Sequence, residues 1–243
     1  MTLSGLATRL DLFRQRPLER LRYTVTEANL LRHVDSGPQR VLDVAGGNGI
    51  EAVRLAALGH EVTVLDPAGA MLSTAIETAD AHDVADRLHV VQAGALDAPE
   101  VFAGHEFDVV LCHNLLHVVE EHDEVLAAVI APLRAGGLLS LLGPNPDFDP
   151  MHAAVRARDP RGAVRALAHD ASVGDLVALL AGLGVEEVVR YGVRCVSDLL
   201  PDMDSGVDAD PEFLDELERL ELAMADRMPQ LLTARFFHLV ARR

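Results

Sequence analysis

Apolar positions along the chain alternate between two periods. Short apolar runs at 41–44, 61–65, 88–92, 107–112 and 138–142 read as buried strands. Between them, apolar residues recur at helical spacing near 49–58, 69–82 and 122–134. Gly59 is placed to end the first of these helices, and Gly136-Gly137 to stop the third. Strands alternating with such helices indicate right-handed βαβ units and a parallel sheet. The pattern breaks at Gly143-Pro144-Asn145-Pro146-Asp147, a loop by composition, and residues 148–170 are mixed. A helix near 173–182, a strand in 185–194 and an acidic loop at 197–209 follow. Asp210-Pro211-Glu212 has the N-cap, proline and acid of a helix start, and that helix is expected to run to about Met228. Thr233 to Val240 reads as a terminal strand that can insert antiparallel. The expected fold is α/β: a doubly wound, mostly parallel, seven-stranded sheet with an antiparallel last strand and helical additions.

Residues 1–35 have helical spacing on both sides of Pro17, through Leu3, Leu6, Leu10 and Phe13, then Val25, Ala28, Leu31 and Val34. They carry Arg9, Arg14, Arg16, Arg20, Arg22 and Arg32. Two readings stay open: a solvated face covering one sheet edge, or a lid that contacts an anionic ligand.

The 243 residues suffice for one domain with a sizeable core. The 21 basic and 38 acidic side chains leave a net charge of −17, which resists polyanions at long range. Cys112 and Cys195 form no disulfide framework or metal knuckle, which favours a reducing compartment. The N-terminal stretch lacks a secretory core, and no apolar run reaches the roughly 18 residues of a membrane span. The expected location is cytoplasmic, with no membrane and no metal.

Chemistry concentrates where strand 41–44 meets Gly46, Gly47 and Gly49 ahead of a helix. Such a turn cradles part of a nucleotide-like ligand. Gly47 to Ala52 satisfies G-x-G-x-x-A with Asp66 following, which fits a nicotinamide dinucleotide by spacing. Asp43, inside the strand, argues otherwise, because a carboxylate there repels a pyrophosphate. It suits a ligand with a cationic amino group and no phosphate, such as S-adenosylmethionine. Asp66, at the end of the next strand, is placed to accept from ribose hydroxyls.

These residues resemble the motifs of class I S-adenosylmethionine-dependent methyltransferases. Val41 to Gly49 resembles the first motif, with Ala45 where a glycine usually stands. Val62 to Asp66 resembles the second, Gln92 to Asp97 the third, Phe107 to His117 the fourth and Leu133 to Leu139 the fifth. In the third motif Gly94 replaces an acid that often reads the adenine amino group. The resemblance implies a Rossmann-like fold, the cofactor S-adenosylmethionine, and a cofactor site of Asp43, Ala45, Gly46, Gly47, Gly49, Asp66, Pro67, Met71, Ala95, Leu96, His113 and Asn114. Leu72 is a second candidate for packing on adenine. A single domain is expected. Residues 1–35 form its N-terminal helical lid and 40–142 its cofactor-binding core. Residues 143–233 supply acceptor-side helices and a strand, and 234–243 the terminal strand.

A narrower resemblance covers Gly192-Val193-Arg194, Asp198-Leu199-Leu200, Glu216-Leu217-Glu218 and Ala234 to Arg242. It is to bacterial tRNA 5-carboxymethoxyuridine methyltransferases, which esterify the carboxylate of a modified wobble uridine. The chain lacks a lysine run after strand five. A carboxylate acceptor needs a cation to hold it, and Arg194 is the first candidate. A hydroxyl or amine acceptor benefits from a base, and His113 and His117 lie just after strand four. The zinc motif H-E-x-x-H is incomplete there, so no metal is expected. The acceptor is a tRNA nucleotide by the narrower resemblance, or a small metabolite by the net charge. A protein that binds the cofactor without transferring methyl is a third possibility. The oligomer is expected to be a monomer or homodimer.

Overall fold

The apolar runs form strands and the stretches between them form helices. The computed structural model describes residues 17–168, 172–200 and 210–243. Its first half runs α1 (Pro17–Leu31), β1 (Arg40–Val44), α2 (Ile50–Ala57), β2 (Glu61–Leu65), α3 (Gly69–Ala81), β3 (Leu88–Val91), α4 (Ala98–Val101), β4 (Phe107–His113), α5 (His122–Ile130) and β5 (Leu133–Pro144). It continues with α6 (Phe148–Met151), α7 (Pro160–Ala166), α8 (Val173–Gly182), β6 (Glu186–Val193), α9 (Pro211–Met224), α10 (Gln230–Thr233) and β7 (Phe236–Arg242).

Among the described residues the strands make one seven-stranded sheet in the order β3-β2-β1-β4-β5-β7-β6. β1 lies parallel between β2 and β4, β2 pairs with β3, and β4 with β5. β7 runs antiparallel. Its far end pairs with the start of β5 through the Gly136 N–H to Arg243 carbonyl bond, and its near end with the end of β5 through Asn145 N–H to Arg235 carbonyl. The chain steps outward from β1 to β3, then returns to β4 on the other side. That reversal opens a crevice beyond the carboxyl ends of β1 and β4, the usual ligand position in open α/β sheets.

Two compact units are distinguishable, each with its own core. One comprises residues 32–143, 176–189 and 239–243. Its strands bury Leu42, Val44, Val62, Val64, Leu65, Val110, Leu111, Leu139 and Leu141, as parallel strands covered on both faces require. Asp43, His113 and Ser140 interrupt that apolar set. The other comprises the described parts of 1–31, 144–175 and 190–238. There Leu18 and Leu21 of α1 pack with Leu217 of α9, and Arg20 bridges to Asp215 and Glu218.

Several boundaries differ from the expectation. α5 ends at Ile130, because Pro132 has no N–H to continue the helical ladder, and Leu133 already pairs with Phe107. β5 extends to Pro144, where a loop was expected. Asn145, just beyond it, is buried and donates to the carbonyls of Leu232 and Ala234. α9 stops at Met224, and the short helix α10 delays β7 until Phe236. The expected Asp210 cap is present, accepting from the Glu212 N–H. The helix expected before Pro17, with Arg9, Arg14 and Arg16, and most of the acidic loop, 201–209, lie outside the described residues. No helix among the described residues is long and apolar enough to cross a membrane.

Candidate functional site

The turn after β1 is built by left-handed backbone. Ala45 has φ 58°, Gly47 φ 55° and Gly49 φ 70°. Ala45 bears a cost that a glycine would avoid, and its N–H is fixed to the Leu65 carbonyl at 2.7 Å. Gly46 is required for a different reason. A Cβ there would lie 2.5 Å from Asp43 Oδ2, so this turn can close only over a residue without a side chain. Gly49 caps α2, and a Cβ on it would lie 2.6 Å from the Ala75 Cβ.

Asp43 sits beneath that turn, in register with Val64 and Leu111. It is buried, and its Oδ2 has no hydrogen-bond partner. Burial, then the negative charges of Glu51 and Asp66, hold its carboxyl well above the usual carboxylate range. Such a group awaits a cation. Asp66 ends β2 and does two things the sequence did not reveal. Its Oδ2 accepts the Gly47 N–H at 2.9 Å, and its Oδ1 accepts the Ala68 N–H at 2.8 Å. The carboxylate expected to hold a ribose therefore also ties the glycine turn to the next loop. Pro67 follows it, and its carbonyl accepts from Gln92 Nε2.

Met71 at the start of α3 and Leu96 in the turn after β3 are exposed apolar side chains. They offer apolar surface to a planar ring. Leu72 instead is buried in the core. Ala95 lies in the same turn as Leu96, closed by Asp97 Oδ2 accepting from the Gly94 N–H.

The two histidines part company. His113 is buried at the end of β4. Its Nδ1 lies 2.8 Å from Glu51 Oε1 and its Nε2 2.8 Å from Ser140 Oγ. His117 is exposed on the single turn Leu116–Val118. Asn114 has φ 55°, and its N–H donates to the Leu142 carbonyl. Cys112, in register with Val44 next to Asp43, is an inert thiol, its pKa pushed up to about 12 by burial and by the Asp43 charge. Glu51 and Ser140 escaped the sequence reading. A serine inside the apolar run 138–142 was the available signal.

Arg194 belongs to the other compact unit. It follows β6 with φ 61° and is buried. Its Nε donates to Asp198 Oδ2 at 2.7 Å and its Nη2 to Asp198 Oδ1, a bidentate grip. Glu19 Oε1 stands 3.7 Å from Nη1, and the Phe236 ring lies under the guanidinium at 5.5 Å. The next three residues are pinned by Glu221, a fully buried carboxylate of α9. Its Oε2 accepts the Cys195 N–H, and its Oε1 accepts those of Val196 and Ser197. Glu19 and Glu221 were not singled out from sequence, and Asp198 entered only with the narrower resemblance, without a role, although it stands four residues after Arg194.

The carboxylates around the turn exclude a pyrophosphate. The Gly47 amide a phosphate would use is already given to Asp66. A cationic ligand with an adenosine-like body fits the unpartnered Asp43 oxygen and the exposed Met71 and Leu96.

Residues 41–137 match a family described as a methyltransferase domain. The chain is 29% identical over 223 residues to the tRNA 5-carboxymethoxyuridine methyltransferase of Escherichia coli (strain K12), covering 86% of this chain and 82% of that protein. It is an S-adenosylmethionine-dependent methyltransferase. Solved structures agree on the fold. A SAM-dependent methyltransferase from Archaeoglobus fulgidus superposes with TM-score 0.58 at 18% identity, covering 93% of this chain and 97% of that one. The [4+2]-cyclase SpnF superposes with TM-score 0.61 at 16% identity, covering 91% and 81%. A cyclase on this architecture shows that fold alone does not fix the reaction. Among the described residues of the methyltransferase, no group of three or more His, Cys, Asp or Glu could hold a metal ion.

Proposed function

We propose that the methyltransferase esterifies a carboxylate-bearing acceptor, of the kind a wobble carboxymethoxyuridine presents. The observation that carries this reading is the extent of the E. coli likeness. It spans 223 residues, far beyond the 41–137 match of the cofactor-binding part, so it also covers acceptor-side sequence. The geometry around Arg194 supports it. Two donors of the guanidinium grip Asp198, and its Nη1 is in ion-pair range of Glu19 Oε1 at 3.7 Å. A fork already shaped to carboxylates suits the acceptor's, which would take the place of the half-exposed Glu19 at Nη1.

In this reading residues 40–142 hold the cofactor and 143–233 serve the acceptor, with 1–35 as a lid. S-adenosylmethionine supplies an activated methyl group. Asp43 and Asp66 hold the donor's cationic and hydroxyl-bearing parts, and Met71 and Leu96 flank its ring. Arg194 orients the acceptor carboxylate, which is ionised near neutral pH and requires no proton removed. That suits His113, both of whose ring nitrogens are engaged inside the protein.

The net charge of −17 supports a rival acceptor, a small free carboxylic acid. The assay that separates them uses tritiated S-adenosylmethionine with tRNA bearing carboxymethoxyuridine, and separately with a panel of small carboxylic acids. Label in tRNA that is released by mild base, as an ester is, supports the proposal. Base-stable label, or label in the small acids alone, overturns it. Arg194→Met should raise the acceptor KM at least tenfold and leave donor affinity unchanged.

A further inference from the structure

The residue after β5 draws two arginines together. Asn145 is buried, and its Nδ2 donates to the Leu232 and Ala234 carbonyls at 2.8 and 2.9 Å. That fixes its Oδ1, which accepts from Arg190 Nη2 at 3.4 Å. Its N–H donates to the Arg235 carbonyl. Arg190 and Arg235 therefore bracket one asparagine, all three within the same compact unit.

Arg190 is poorly compensated. The bond to Asn145 is long and its acceptor neutral, and it is the one hydrogen bond this guanidinium makes among the described residues. Its Nε is buried with no acceptor. Asp147 Oδ2 stands 4.0 Å from Nη2, on a half-exposed side chain. Burial lowers the pKa of Arg190 by more than Asp147 raises it, as for a cation short of counter-charge. Arg194, four residues on, differs in being gripped by Asp198 through two donors.

Arg235 is the second cation. Its ion pair with Asp149, at 3.2 Å, joins two side chains that are 35% and 63% exposed, a pair of little worth in water. Rings position it. Its guanidinium lies 5.1 Å from the Phe148 ring and 5.7 Å from the Phe236 ring, and Arg194 stands over that same Phe236 ring at 5.5 Å. A small carboxylic acid has a use for Arg194 alone. A nucleotide brings a second anion.

We propose that Arg190 and Arg235 form a phosphate subsite on the acceptor side, which takes a backbone phosphate of the nucleotide whose carboxylate Arg194 orients. The subsite deepens the carboxylate reading and rests on it. Two guanidinium forks suit a phosphate, whose non-bridging oxygens accept from several donors at once. The water-exposed carboxylates of Asp147 and Asp149 give way to it. A chain of net charge −17 repels polyanions over most of its surface, so this pair of arginines selects where the nucleotide docks.

The test uses the full chain with S-adenosylhomocysteine bound. Uridine 5′-monophosphate and uridine are titrated into wild type, Arg190→Gln and Arg235→Gln, and the arginine Nε–H signals are followed in proton–nitrogen spectra. Neither probe carries a carboxylate, so the result is independent of what Arg194 does. Wild type should bind the monophosphate roughly tenfold tighter than uridine. Arg190→Gln should erase that preference while uridine affinity stays within about twofold, and Arg235→Gln should reduce it by about threefold. Equal affinity of wild type for the two probes overturns the subsite, even where carboxymethoxyuridine is esterified. So does a preference that survives in both variants, and Arg235→Gln decides the question should Arg190→Gln fail to fold. A preference for the monophosphate with no esterification of carboxymethoxyuridine sinks the carboxylate reading and leaves the subsite standing. A second arm separates a polynucleotide from a free nucleotide. The log–log salt slope of tRNA binding should flatten by about 0.7 in Arg190→Gln. An unchanged slope overturns a backbone phosphate as the ligand.

Discussion

Glu221 offers a sharp test of how the acceptor-side loop is held. Its side chain is fully buried, and its two oxygens accept three consecutive backbone N–H groups, at Cys195, Val196 and Ser197. Cys195 and Ser197 are buried, while Val196 is partly open to water. Glu221→Ala would strand two buried amides at about 1–3 kcal/mol each, with a smaller loss at Val196. Adding the cavity left by the missing side chain gives about 4–6 kcal/mol. At about 2–4 °C per kcal/mol for a chain of this size, the melting temperature should fall by about 10–20 °C. Glu221→Gln should do less harm. Its oxygen can keep the Val196 and Ser197 bonds, but its NH₂ then opposes the Cys195 N–H, which costs about 1–3 kcal/mol. Glu216→Ala is the control on the same helix. Glu216 is exposed and paired with an exposed Arg219, so its loss should barely register. Thermal melts of the three variants by circular dichroism give the order: wild type and Glu216→Ala together, then Glu221→Gln, then Glu221→Ala. A Glu221→Ala protein melting within about 2 °C of wild type would refute the view that this carboxylate holds the loop after Arg194.

Two further outcomes follow from the glycine turn. Asp43 holds its proton in the folded state above the ordinary value near 3.8, so the unfolded chain sheds a proton that the folded one keeps, and stability declines as pH rises through that window. Ligand-free Asp43→Asn should therefore melt above wild type at pH 7.5, with the gap closing toward pH 4, while S-adenosylmethionine binding by calorimetry is lost; a variant that melts lower at both pH values contradicts this. Gly49→Ala meets the Ala75 Cβ at 2.6 Å and carries φ 70°, whereas Gly59→Ala at φ 99° meets nothing within 4 Å. Urea denaturation should show a cost of about 1–2 kcal/mol for Gly59→Ala and clearly more for Gly49→Ala.

The sheet's first five strands were legible because each is a local apolar run closed by a local signal. The Val41–Gly49 turn needed no distant partner to be read, and Asp43 stood out as an acid inside a strand. What escaped depends on separation in sequence. Ser140 meets His113 only because β4 and β5 are neighbours in the sheet, and Glu51 meets it from the helix that follows the glycine turn. No periodicity encodes those meetings. Asp66 was read as a ribose acceptor from its place at the end of β2. Its bond to Gly47 appears only once the turn is folded. The early end of α5 has a local cause. Pro132 and the pairing of Leu133 with Phe107 outweighed the helical spacing that ran on toward residue 134. For Arg194, the residue type suggested a free cation, and the fold had already supplied Asp198.

The position of β7 between β5 and β6 has a consequence for how the protein is made. β6 precedes β7 in the chain but reaches the sheet only through it. A ribosome emitting this chain from its beginning delivers β1 to β5 with partners ready, then β6 with none. Until β7 emerges, β5 keeps an unpaired edge and β6 has no template, and both are open to the wrong strand. Arg243 closes the arrangement. Its backbone pairs with Gly136 and Gly137, and its guanidinium takes the carbonyls of Ile130 and Ala131 at the end of α5 and of Leu133 at the start of β5. The cofactor cradle is thus encoded early and can form during synthesis, whereas the sheet edge that carries Arg194 waits for residues translated some forty positions later.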